Sequence, residues 1–124
     1  MSSISQRAVQ AAEMPERDRP LSEQYRLASK DYVKAKSIAK LAEDLKPSKF
    51  SELINLRADM AVSRAEHAVR ASQEWKDYVA SVVASVEAAD MARAKVKWIE
   101  MRFQEWVMQQ AGARKEREMG RQSP

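Results

Sequence analysis

The chain has 124 residues and a mass of 14.1 kDa, room for one domain and not comfortably for two. Its 22 Lys and Arg against 18 Asp and Glu leave +4 and a pI near 9.5, with no Cys, two Gly, four Pro and twenty Ala. Zero cysteines exclude a disulfide scaffold, thiolate zinc sites, iron–sulfur clusters and cysteine nucleophiles. The scarcity of turn residues argues against a sheet, and the abundant Ala points to an all-α protein of long helices. No apolar run approaches the roughly 18 residues of a membrane span, and the N-terminus lacks the apolar core of a signal peptide. The expected location is therefore cytoplasmic, with no membrane partner.

Residues 1–20 hold Ile4 and Val9 as their only branched apolar side chains, and their charges cancel. This stretch reads as a disordered tail with one transient helical turn over 6–13. After Pro20, Ser22 is the expected cap of a first helix over about 22–46, which Pro47 ends. Tyr25, Ala28, Tyr32, Ala35, Ala39 and Ala42 recur at spacings of three and four, a heptad-like seam whose small side chains allow close approach of another helix. Leu27, Ile38, Leu41 and Leu45 form a second apolar strip beside it.

Ser48 is the expected cap of a second helix, and no Pro or Gly intervenes before Gly112. A single helix that long is out of proportion to the chain, so a break is expected at 71–74, where Ser72 can cap a third helix beginning with Glu74 and Asp77. The spacing thus predicts helices over about 49–71 and 73–111. The third has the strongest seam, from Trp75 through Val82, Ala89 and Ile99 to Phe103 and Trp106. Met91, Ala94, Trp98, Met101 and Met108 make a second stripe on another face. Gly112 is the expected C-cap, and residues 113–124 a basic tail. Two apolar faces on one long helix exceed what its neighbours can cover. The expected protomer is a long helical hairpin or three-helix bundle with coiled-coil-like packing, which assembles into a homo-oligomer through the second stripe.

The catalytic inventory is thin. His67 has no second ligand one helical turn away, the two glycines cannot build a phosphate loop, and no Ser lies in an elbow motif. Glu43, Asp44, Glu66, Glu100 and Glu105 sit near Lys or Arg, as solvated ion pairs do. A non-enzyme without metal or cofactor is expected. The cations say more: Arg26, Lys30, Lys34, Lys36 and Lys40 fall within an arc of about 160° opposite the alanine seam. Net charge is +2 over 22–46 and +2 over 112–124, against −1 over 73–111. That face, with Arg114, Lys115 and Arg117 of the tail, reads either as a phosphate-binding surface or as an ordinary solvated one. Trp75, Phe103 and Trp106 belong to the seam and are expected in the core. Trp98 reads as an interface anchor or a base-stacking residue.

The segments Tyr32-Val33-Lys34-Ala35-Lys36, Ser63-Arg64-Ala65-Glu66, ASQEWKDY (71–78), KWIEMRFQEW (97–106) and ARKEREM (113–119) give the chain a resemblance to small all-helical proteins of tailed-phage recombination modules. In layout it is similar to UvsY-like recombination mediators over about residues 25–119. The resemblance implies a non-enzymatic accessory protein in the host cytoplasm that binds single-stranded DNA as a homo-oligomer. It also implies a recombinase or single-strand binding protein as a further partner. The alternative reading is a helical adaptor or inhibitor that docks on a host protein complex through the Met/Trp stripe.

Overall fold

The computed structural model describes residue 15 and residues 18–122; the tail and transient turn expected at the N-terminus lie almost entirely outside the described residues. Four helices follow one another: α1 (Leu21–Asp44), α2 (Lys46–Asn55), α3 (Val62–Ala71) and α4 (Gln73–Gln122), with no strand among the described residues. The protein is all-α, and the long α4 packs against α1.

The boundaries differ from the sequence expectation in four places, each with a local cause. Pro20, not Ser22, opens α1: its carbonyl accepts the N–H groups of Glu23 and Gln24 at 3.0 Å. Pro47 falls in the first turn of α2, where its missing N–H costs nothing. The cap of α2 is Leu45, with helical backbone angles and no side-chain cap bond, so Ser48 has no capping role and one residue separates α1 from α2.

The expected second helix is two helices. After Asn55 the chain turns, with Arg57 N–H donating to the Ile54 carbonyl at 2.8 Å and Met60 N–H to the Arg57 carbonyl at 3.0 Å. The Arg57 guanidinium donates to the Leu53 carbonyl at 3.1 Å, satisfying an acceptor the helix end leaves open. Ala61 is extended and opens α3. Asn55 and Asp59 are weak helix formers, and no Gly or Pro announces this turn.

The break at Ser72 is where it was expected. Ser72 is extended; its Oγ accepts the N–H of Trp75 at 3.3 Å and donates to the Val69 carbonyl at 2.6 Å, capping α4 and closing α3 together. Gly112 does not end α4, which runs on through the expected basic tail to Gln122. No glycine has a positive φ, and a Cβ added at Gly112 would meet nothing within 4 Å.

The chain divides into two compact units. The first joins the start of α1, up to Lys30, with α4 from Arg93 onward. Among the described residues its buried side chains are Ala28, Ile99 and one polar group, Gln24. Gln24 is satisfied at both ends: Nε2 donates to the Arg19 carbonyl at 2.7 Å, and Oε1 accepts from Arg102 Nη1 at 3.2 Å. Tyr25 Oη donates to Glu100 Oε1 at 3.3 Å, so α1 and α4 run antiparallel here.

The second unit, residues 31–92, buries Ala39, Leu53, Ala65, Val69, Val82 and Ala89. Helices α2 and α3 pack on each other. Tyr78 Oη donates to the Ala42 carbonyl at 2.8 Å. Phe50 meets the edge of Trp75 at 5.0 Å, Trp75 stacks with Tyr78 at 6.0 Å, and the Arg70 guanidinium lies 5.5 Å over Phe50. Such aromatic pairs contribute about 0.5–1.5 kcal/mol each beyond the area they bury.

Two substitutions check this account. Gly112→Ala should raise stability by about 0.5–1 kcal/mol, because Gly in a helix interior is that much worse than Ala and the new methyl meets open space. A fall in the melting temperature would restore Gly112 as a cap. Ile99→Ala should cost about 2–4 kcal/mol, read by denaturant titration, because Ile99 is 1% exposed and its loss leaves a cavity.

Candidate nucleic-acid interface

Helix α1 is continuous from Leu21 to Asp44, so its periodicity carries the cationic face. In the first unit Arg26 is exposed and clasped by Glu23, its guanidinium 3.0 Å from the carboxylate. Lys30 is exposed. In the second unit Lys34, Lys36 and Lys40 are exposed. None of these four lysines forms an ion pair among the described residues. The buried Ala28 and Ala39 point the opposite way, as the alanine seam requires. Glu23 and Asp44 are the two acids on the cationic arc, and Val33, 63% exposed, lies on it too. Because Glu23 already holds Arg26, that residue is the least available of the five.

Arg114, Lys115 and Arg117 are exposed on the last third of α4 rather than on a tail. A helix fixes their directions: Arg114 and Arg117 share one face, and Lys115 is rotated away by about 100°.

Every residue of the expected partner stripe is exposed. Met91, Ala94, Trp98, Met101 and Met108 face solvent, with Trp98 at 55%. The Arg102 guanidinium sits 4.8 Å over the Trp98 ring. One face of that indole is therefore covered, and the ring stays half exposed.

The seam of α4 corrects one expectation. It is buried or half-buried from Trp75 to Ile99 but open beyond, where Phe103 and Trp106 are exposed instead of in the core. They stack on each other with ring centroids 6.2 Å apart. The cause is the length of the covering helix. Leu21, the first residue of α1, lines a groove of about 540 Å³ with Tyr25, Ile99, Phe103 and Gln104, and α1 extends no further along α4. Comparing the two helix lengths in the sequence would have shown this; the periodicity alone does not.

His67 is exposed, and among the described residues no three His, Asp or Glu side chains converge as a metal site would need. No described helix is long and apolar enough to cross a membrane. Comparisons with family models, curated proteins and solved structures find no match for this chain.

A charge at Trp98 is a direct check on the stripe. Trp98→Glu should shift the stability of the protomer by no more than about 0.5 kcal/mol, because the site is open. A loss of several kcal/mol in thermal melts at concentrations low enough to hold the chain as a single protomer would mean that Trp98 is packed within the protomer.

Proposed function

We propose that this chain is a non-enzymatic accessory protein of DNA recombination that binds single-stranded DNA as a homo-oligomer. The observation that carries the reading is the row Lys30, Lys34, Lys36 and Lys40, all exposed and without ion pairs among the described residues. Lysines held by carboxylates would gain little from phosphate; lysines hydrated and unpaired can release the counterions condensed on a nucleic-acid strand. The recombination setting comes from the resemblance to UvsY-like mediators, and with it a recombinase or single-strand binding protein as second partner.

Homo-oligomerisation draws on a separate observation, the exposed stripe Met91, Ala94, Trp98, Met101 and Met108. Such a run of Met and Trp favours burial against another chain. The same stripe supports the second reading, a helical adaptor or inhibitor acting on a host protein complex, in which the occupant is a foreign chain rather than a copy. Light scattering separates them: the unmodified protein should exceed the mass of one chain at micromolar concentration, and Trp98→Glu should reduce it. A monomer in both cases favours the adaptor.

The binding test is a salt titration. The triple change Lys30→Gln, Lys34→Gln and Lys40→Gln should weaken single-strand binding and flatten its dependence on salt by roughly two units, since each phosphate contact contributes about 0.7 on single strands. Helicity should be kept, because Gln is a good helix former and these positions face away from the seam. Binding that is insensitive to salt, or absent, would make α1 a solvated face.

A further inference from the structure

Beyond Ile99 the seam of α4 continues as an arc that is aromatic at one end and cationic at the other. Phe103, Trp106, Gln110, Arg114 and Arg117 follow at spacings of three, four, four and three. In one continuous helix these spacings keep the five side chains within an arc of about 80° along about 21 Å. All five are exposed, Phe103 at 52% and Trp106 at 54%. No acidic residue falls in the arc: Glu105 and Glu116 lie on the far side of the helix, and Glu100 and Glu118 flank it. The two rings are already stacked, 6.2 Å apart and 25° from parallel, so their faces are ordered before any ligand arrives.

We propose that this face of α4 is a base-stacking platform for unpaired nucleotides, with Phe103 and Trp106 taking bases and Arg114 and Arg117 holding the adjoining phosphates. The inference rests on the single-strand reading above and supplies what that reading lacks. A row of lysines attracts any phosphate backbone and does not by itself tell a single strand from a duplex. Exposed aromatic rings do, because only unpaired bases offer a free π-face. A dry helix–helix seam with a second copy fits the arc less well. It would seat Gln110 and two guanidinium groups where apolar side chains belong, and burying such groups without partners is costly. A nucleic-acid strand uses both ends of the arc, since Arg serves phosphate with a planar fork of donors.

The full chain is titrated with two labelled oligomers of equal length at matched ionic strength, an oligothymidine and an abasic strand carrying the same phosphates. The unmodified protein should bind the oligothymidine at least about tenfold more tightly, as one stacked base alone is worth that much. Phe103→Ala with Trp106→Ala should bind both oligomers equally, at the abasic affinity and with the salt slope unchanged. Arg114→Gln with Arg117→Gln should keep the preference for bases and lower the salt slope by about 1.4. Equal binding of both oligomers by the unmodified protein, or a preference that survives loss of both rings, overturns the platform but leaves the lysine row standing. Absence of any salt-sensitive binding overturns the single-strand reading and this one with it. A fall in native mass without DNA in the ring variant would identify the face as a self-association seam and overturn the proposal.

Discussion

Helix α4 is 50 residues long and α1, which packs on it, is 24. That mismatch governs which side chains the protein hides and which it leaves to solvent. A helix becomes stable chiefly by burying one face against another element, and its intrinsic propensity adds little. Among the described residues of the first unit, the cover over α4 ends where α1 begins, at Leu21 beside Phe103 and Gln104. Beyond that point only Ala113 is even half-buried through residue 120. What sustains the helix there is composition: Gln, Glu, Arg, Lys, Met and Ala dominate the stretch, and no Pro interrupts it. Most of the side chains it displays are exposed, and that is where aromatic and cationic groups gather.

The N-terminal part of α4 is treated differently, and the two short helices are the reason. Two single-residue joints, Leu45 and Ser72, redirect the chain without a glycine. Leu45 keeps a helical backbone and relies on Pro47 to start the next element, whereas Ser72 is extended and uses its hydroxyl in both directions. Between them α2 and α3 supply Leu53, Ala65 and Val69 to the core of the second unit. Three buried residues from α2 and α3 join Ala39, Val82 and Ala89 from the longer helices, so most of the buried apolar side chains among the described residues lie in this unit.

How legible this was from the residues depends on the kind of signal involved. The all-α class follows from Ala-rich, Gly-poor composition, and the break at Ser72 from one hydroxyl followed by acidic residues. The turn after Asn55 left no such mark, because it is held by a guanidinium on a carbonyl and by backbone bonds, which residue types alone do not announce. Gly112 misled in the opposite sense: a glycine near the end of an apolar pattern reads as a stop, yet here the polar sequence beyond it is itself a good helix former. The exposed lysines on α1 were legible, since a face opposite an alanine seam has nowhere to point but outward. Phe103 and Trp106 were not. Periodicity assigns a side chain to a face; whether that face is covered depends on how far the neighbouring helix reaches.

Under the proposed function, charge and aromaticity would divide the work of binding in a way that suits a chain of only +4. Electrostatic affinity for a polyanion grows with the number of phosphates neutralised, and four lysines on α1 with two arginines on α4 provide few contacts per chain. Strong binding at physiological salt has to come from elsewhere. Stacking is one source, because it does not weaken as counterions are added in the way that phosphate contacts do. Assembly is the other, since linked copies convert each further contact into an intramolecular step with a high effective concentration. On this view the exposed Met/Trp stripe and the aromatic arc on opposite sides of α4 are complementary. Under the proposal, one would multiply weak phosphate contacts along a strand, and the other would restrict them to strands whose bases are free.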